Sequence, residues 1–321
     1  MNKKYYFFVI LILVVIPFLL SDFNNIFNND TVSILNFGDV MFDRGVRNII
    51  ENRGRDPFEY IKKDLSVIKE FDVVIANLEG PIVEMDRNLC QQKEFNFQFA
   101  SNTPERLKGA GITMVNIANN HSYDCYKAGF ESTKRYLEKA GIDYIGDNIL
   151  EKSFIIKTIN NKKIAFVGMD ETVQLIPISK FYPLLKKLKT ENDYIVVNIH
   201  WGKEYERKAT STQIAIAHAL IDNGADAIFG HHPHVIEPVE IYKGKTIFYS
   251  LGNFVFDQNF GDTTTGLGVG LELGKIHSTF TLFPYKMKLF APDFLKGDER
   301  NKFCQNYLKN ITHSKCGFEM L

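Results

Sequence analysis

The sequence predicts an α/β protein, on three observations. Apolar runs of strand length, such as VVIANL at 73–78, YIVVNIH at 194–200 and ADAIF at 225–229, are nearly continuous, as in strands buried on both faces. Helix-like stretches separate them. The last third then alternates in character, LGVGLELGKIHSTFTLFPYKMKLF at 267–290, as antiparallel strands do. At 321 residues the chain is long enough for one large or two medium domains, and no internal repeat or low-complexity tract divides it. Lys+Arg (38) balances Asp+Glu (38), so bulk charge gives no grip on nucleic acid or on any other polyanion.

Residues 1–23 read as a membrane anchor or signal sequence. Lys3 and Lys4 precede an apolar run at 5–20, and the bulky PFLLSDF that follows is a poor cleavage site. The expectation is therefore an uncleaved single-pass anchor, the lysines holding the N-terminus in the cytoplasm and the remainder outside the cell; secretion after cleavage is the alternative. Residues 24–30 are an Asn-rich tether, and 31–321 form the folded domain. Outside the membrane four cysteines point to disulfides, Cys304 with Cys316 closing a short loop and Cys90 with Cys125 tying two loops.

The first strand is expected at 31–37, ended by Gly38-Asp39, with a helical stretch at 46–51 after it. A helix is predicted over 57–70 from Phe58, Ile61, Leu65 and Ile68, spaced by three or four. The second strand runs into Asn77-Leu78-Glu79-Gly80-Pro81, and 81–100 is an irregular rim carrying Cys90. Pro104 marks a helix start, and a third strand, GITMVNIANN, runs into His121. A helix over 126–140 ends on Gly141, and IDYIGD is a strand. A hairpin turns at Asn160-Asn161; helices follow at 180–189 and 212–223, flanking the strand that ends in His200-Trp201-Gly202. Another hairpin turns at 243–245, the tail strands turn at 274–278, and a helix at 298–309 closes the chain.

The chemistry concentrates where strands end. After ADAIF comes GHHPHVIEPVE, with His231, His232 and His234 around Pro233, which keeps the segment irregular. In H-x-H spacing an extended backbone turns both rings to one side. Asp39, Glu79, Asn120 with His121, His200, and His232 with His234 each follow a separate predicted strand. Five such coincidences describe one edge of a sheet on which side chains converge, as sites do in open α/β sheets. Carboxylate, carboxamide and imidazole together suit one or two divalent ions, a carboxylate bridging a pair. Such ions make water acidic enough to ionise near neutral pH and neutralise an oxyanion on phosphate or carbonyl. Asp124 is a further polar group just past the third strand.

The set GDVMFDRG, ANLEGPI, NIANNHSYD, IHWGKEY, GADAIFGHHPHVIEPVE and YSLGNFVFDQ, in this order from 32 to 257, resembles the CapA/PgsA family of poly-γ-glutamate (capsule) synthesis proteins. That family is similar to calcineurin-like metallophosphoesterases. The resemblance implies an α/β/β/α sandwich of two β-sheets flanked by helices, with two divalent ions (Mn, Zn or Fe) at the strand ends. It implies Asp39, Glu79, Asn120, His200, His232 and His234 as ligands, with Glu79 where phosphoesterases carry a bridging Asp. His121 is implied as general acid or base, and His231, Asp124 and Asn253 as outer-shell or substrate-contacting residues. One departure stands out: where phosphoesterases have D-x-H, this chain has Asp39-Val40-Met41. Trp201, Glu204, Tyr205 and Ser250 belong to the motifs and read equally as packing and turn-making groups.

The expected function is that of a membrane-anchored, metal-dependent hydrolase or transferase acting on an extracellular anionic polymer or envelope substrate. The alternative is a non-catalytic component supporting a membrane polymer synthase. Arg44, Arg47, Lys203 and Arg207 are the basic residues placed to meet such a polymer near the site.

Overall fold

Two twisted β-sheets pack face to face in a computed structural model that describes residues 31–84, 90–311 and 316–320. The expected anchor and tether lie outside the described residues. Among those described, no helix is long and apolar enough to cross a membrane.

The chain order is β1 (Val32–Val40), α1 (Arg44–Arg53), α2 (Leu65–Ile68), β2 (Val73–Leu78), α3 (Thr103–Gly109), β3 (Met114–Asn116), α4 (Tyr126–Ala140) and β4 (Asp143–Ile145). Then come β5 (Phe154–Ile159), β6 (Lys162–Asp170), α5 (Phe181–Glu191), β7 (Tyr194–His200), α6 (Ser211–Asp222), β8 (Ala227–His231), β9 (Val239–Tyr242), β10 (Lys245–Phe248) and β11 (Asn253–Val255). The chain closes with β12 (Thr265–Leu273), β13 (Ser278–Lys288), β14 (Ala291–Phe294), α7 (Gly297–Tyr307) and β15 (Gly317–Met320).

The first sheet runs β14-β13-β12-β1-β2-β3-β4, with β11 alongside β1 and β15 alongside β13; the second runs β5-β6-β7-β8-β10-β9. Strands β1 to β4 are mutually parallel, and so are β6, β7, β8 and β10.

Side-chain alternation explains the apolar runs. Val32 and Ile34 of β1, Val73 and Ile75 of β2, Val196 of β7, and Ala227 and Phe229 of β8 fill the layer between the sheets. Their neighbours Leu35, Phe37, Val74 and Ala76 pack under the helices of the first sheet. Ile195, Val197 and Ile228 pack with Leu185 and Leu220 of α5 and α6 on the second. A strand covered on both faces has no solvent side to alternate against, so its sequence reads as continuous. Phe229 and Phe248 stack with ring centroids 5.5 Å apart in the middle layer. Each such buried ring contributes roughly 1.5–3 kcal/mol.

Both expected disulfides are present, Cys90–Cys125 and Cys304–Cys316. The hairpin at Asn160-Asn161 is held by two left-handed residues (φ 48° and 63°), and Gly141 caps α4 at φ 68°. Three expectations need correction. β1 does not stop at Gly38-Asp39 but continues to Val40, because Val40 still pairs with Leu78 of β2 and Val255 of β11. The helix over 57–70 is a turn, a 3-10 segment (Ile61–Asp64) and the four-residue α2. There Asp56 accepts the Phe58 N–H at 2.9 Å and fixes a turn where the spacing predicts an unbroken helix. β11, β14 and β15 add to the expected strands.

Glu237 ties α6 to the β8–β9 connection: Gln213, in the capping box of α6, donates Nε2–H to Glu237 Oε2 at 2.7 Å. Glu237 is fully buried, its Oε1 has no partner, and burial pushes its carboxyl up to about 7. A carboxyl raised on folding stabilises the fold below its unfolded value of 4.5, and that contribution is lost as pH climbs through 7. Glu237→Gln should therefore match wild type in urea unfolding near pH 4.5 and exceed it by roughly 1–3 kcal/mol at pH 8. An equal difference at both pH values would show that Glu237 does not titrate as placed.

Candidate metal centre

The carboxyl ends of β1, β2, β7 and β8 meet across the two sheets, and the polar residues predicted from the sequence gather there. Close backbone approach makes this possible. A Cβ on Gly38, just before Asp39, would lie 1.8 Å from Gly252 O; one on Gly230, just before His231, would lie 1.9 Å from Tyr249 O. Glycine alone lets these strand ends come so near.

Asp39 and Glu79 are fully buried. Asp39 Oδ1 accepts from Asn77 Nδ2 (2.8 Å), and Oδ2 accepts from the His232 backbone N–H (3.2 Å) and lies 3.4 Å from His234 Nδ1. Burial opposes its ionisation, but the His234 contact, nearby imidazoles and Asn77 outweigh it and hold the carboxyl below its ordinary value. Glu79 is the reverse. Both of its oxygens are buried without a hydrogen-bond partner; His234 Nε2 lies at 3.7 Å and His121 Nε2 at 3.9 Å. Burial first, and the Asp39 charge second, push its carboxyl well above the usual range.

Asn77 extends the set sideways. It accepts from Asn116 Nδ2 (3.0 Å) and Asn119 Nδ2 (3.4 Å), and its own Nδ2 also lies 3.3 Å from His200 Nδ1. His200 Nε2 stands 2.9 Å from Asn120 Oδ1, about the separation of two adjacent donors on one first-row ion. His200 is fully buried, and burial followed by the neighbouring imidazoles depresses its pKa strongly. Burial lowers His231 and His232 to about 4. These rings are thus neutral at physiological pH, the form in which imidazole offers a lone pair.

The His loop reaches the centre by a route other than the expected extended H-x-H. His232 and His234 both have left-handed backbones (φ 96° and 58°), with Pro233 between them. Their rings still face the centre, 6.0 Å apart. Strain of this sort costs about 1–3 kcal/mol per residue and persists where the surroundings over-determine it. His231, at the end of β8, is fully buried. Its Nε2 lies 3.1 Å from Asn198 Oδ1 and its Nδ1 3.6 Å from Asp39 Oδ1, behind the carboxylate. Asn253 Oδ1 lies 3.0 Å from His234 Nδ1.

His121 stands at the mouth. Its Nδ1 is 2.8 Å from Asp124 Oδ2, which also accepts the Phe97 N–H, and its ring stacks on Phe97 with centroids 4.0 Å apart. Burial lowers its pKa, and Asp124 acts in the opposite sense. The Cys90–Cys125 disulfide ties the segment carrying Lys93 and Phe97 next to Asp124, and Lys93 pairs with that carboxylate. A cleft of about 310 Å³ opens here, lined by Arg44, Lys93, His121, Glu204, Tyr205 and His234 among others.

Asp39, Glu79, Asn120, His121, Asp124, His200, His231, His232, His234 and Asn253 all stand in this cluster. Two groups of donors lie within 4.8 Å of one another and are able to hold a cation: Asp39, Glu79 and His234; and Glu204, His232 and His234. Asn77 was missed. Its signal was a single Asn inside an otherwise apolar strand, a pattern repeated at Asn36, Asn116 and Asn198. Glu204, read equally as a turn residue, stands among the donors. Trp201 and Ser250 are packing and turn groups, with Trp201 Nε1–H on Tyr249 O and Ser250 Oγ accepting the Gly252 N–H. Of the basic residues, Arg44 lines the cleft, whereas Arg47 pairs with Asp43 and Arg207 with Asp262.

Two helix-flanked sheets with carboxylate, amide and neutral imidazole donors at their strand ends define a metallophosphoesterase-like protein. Residues 33–258 match the family described as "Bacterial capsule synthesis protein PGA_cap", and the chain belongs to that family. It is 35% identical over 258 residues to the "Capsule biosynthesis protein CapA" of Bacillus anthracis, covering 73% of this chain and 62% of that protein, so it spans less than two thirds of that relative's length. It is 33% identical over 267 residues to the "PGA biosynthesis protein CapA" of Bacillus subtilis (strain 168), covering 78% and 70%. Among solved structures, a hypothetical protein from Thermus thermophilus aligns with 81% of this chain and 96% of its own at 18% identity, with a TM-score of 0.45.

A buried carboxylate with no partner destabilises a metal-free chain and is relieved by a cation. Glu79→Gln should raise stability in EDTA by roughly 1–3 kcal/mol in urea unfolding at pH 8 and abolish any stabilisation by added Mn²⁺. A variant less stable than wild type in EDTA would contradict this reading of Glu79.

Proposed function

We propose that this chain is a metal-dependent hydrolase or transferase of capsule biosynthesis, acting on an anionic polymer of the poly-γ-glutamate kind or on another envelope substrate. Residues 1–23 hold it to the membrane with its folded domain outside the cell, where it works beside the synthase subunits. The relatives' names support the process. The chemistry rests on one observation: Glu79, fully buried, carries two oxygens without a partner at the meeting point of Asp39, His234 and His121.

Asp39, Glu79, Asn120, His200, His232 and His234 would hold two divalent ions, Mn, Zn or Fe, at this position. When bound, these ions lower the pKa of water toward neutrality and neutralise charge building on a phosphate or carbonyl oxygen. His121 supplies the proton chemistry. Its Nδ1–H donates to Asp124, which fixes the tautomer and the ring plane, and leaves Nε2 to take a proton or return it at the cleft. Phe97 stacked on the ring and the Cys90–Cys125 tie keep that nitrogen in place. Arg44 and Lys93 line the cleft beside Glu94 and Glu204 and are paired with Asp257 and Asp124.

The second reading, a non-catalytic assembly component, draws on Met41, which supplies no imidazole where phosphoesterases have one. His121→Ala separates the two. It should leave metal content unchanged while cutting polymer production or turnover about 10²–10⁴-fold. Wild-type polymer production in that variant would favour the assembly role.

A further inference from the structure

We propose that Glu204 is a direct metal ligand, making up the donor that Met41 withholds and turning the centre toward oxygen-preferring ions such as Mn²⁺. This rests on the metal-binding reading above and goes beyond it, because no ligand role follows for Glu204 from that reading.

Met41 is fully buried among Phe42, Val46 and their neighbours under the first sheet. Its sulfur accepts the Asp43 backbone N–H at 2.9 Å. Thioether sulfur is a soft donor, and this one is occupied at the foot of α1. The centre is therefore one donor short on the β1 side.

Glu204 comes from the connection between β7 and α6. Its donor atom lies within 4.8 Å of those of His232 and His234. The carboxylate is exposed, but its backbone is not free to wander. Trp201 N–H donates to His231 O (3.1 Å), and Tyr205 N–H donates to Pro233 O (2.8 Å). The chain from 201 to 205 is thereby laced to the His loop on both sides of Glu204. Tyr205 itself is held left-handed (φ 66°), a conformation that needs such support. A second observation points to a cation here: His232 Nδ1 is buried without a partner, as are both oxygens of Glu79 deeper in the same centre.

The donor balance follows. Glu204 adds an oxygen donor beside His232 and His234, next to the group formed by Asp39, Glu79 and His234. Carboxylate-rich sets suit Mn²⁺ and similar hard ions, whereas imidazole suits Zn²⁺.

The test is Mn²⁺ titration of the full-length chain, followed by calorimetry and by the EPR signal of free Mn²⁺. Wild type should bind two ions. Glu204→Gln, exposed and therefore harmless to folding, should weaken one of them about 10- to 100-fold or more, keep the other, and melt in EDTA as wild type does. Glu204→His should restore the second ion with a preference shifted from Mn²⁺ to Zn²⁺. Identical Mn²⁺ isotherms for wild type and Glu204→Gln would overturn the assignment while leaving the metal centre standing. A wild-type chain that binds neither Mn²⁺ nor Zn²⁺ would overturn the centre itself.

Discussion

The arrangement of this protein depends on placing two carboxylates, Asp39 and Glu79, in full burial on neighbouring strands. Like charges so close and so dry cannot both be left to solvent-style neutralisation. Among the described residues, no lysine or arginine forms an ion pair with either. Asp39 is instead wrapped in an amide N–H, a backbone N–H and imidazole edges, which hold it ionised. Glu79 is given nothing. The asymmetry matters more than the burial: one carboxylate is stabilised by hydrogen bonds from the fold itself and the other is not. The amides of Asn77, Asn116 and Asn119 then serve as the polar lining that an apolar strand layer would otherwise deny to this pair.

Much of this was legible in the chain because burial on both faces writes long apolar runs, and the polar residue that ends each run is then conspicuous. Asp39, Glu79, His121, His200 and the His231–His234 group stand out for that reason. What could not be read has physical causes too. Asn77 lies inside its run, where one amide among aliphatics is indistinguishable from tolerated core polarity until its partners are known. The left-handed backbones at His232 and His234 follow from the packing of two sheets, and no local pattern encodes them. β11 and β15 are short and lie outside the apolar runs that mark the other strands. The 57–70 stretch had helical spacing, yet a local Asp56 side-chain bond decided its start.

The two halves of the centre come from different sheets. Asp39, Glu79 and Asn120 arise from β1, β2 and the β3–α4 turn, and His200, His232 and His234 from the ends of β7 and β8. The sheets are joined in the middle layer by aliphatic and phenyl packing, so the polar cluster sits at the end of a rigid apolar wedge. Changes deep in that wedge alter the spacing of donors without touching any of them.

The strand order has a further consequence, for assembly in time. β1, the first strand of the described fold, is flanked by β2 on one side and by β12 on the other, where Val32 pairs with Leu273. As the chain emerges in sequence order, the carboxylates exist early but β1 remains an open edge until the last third arrives. Loop closure over such a distance is slow and leaves an apolar strand edge exposed meanwhile. The Cys304–Cys316 link then braces the returning segment, where β15 pairs against β13. β12 is thus the strand that covers the β1 edge next to the polar centre.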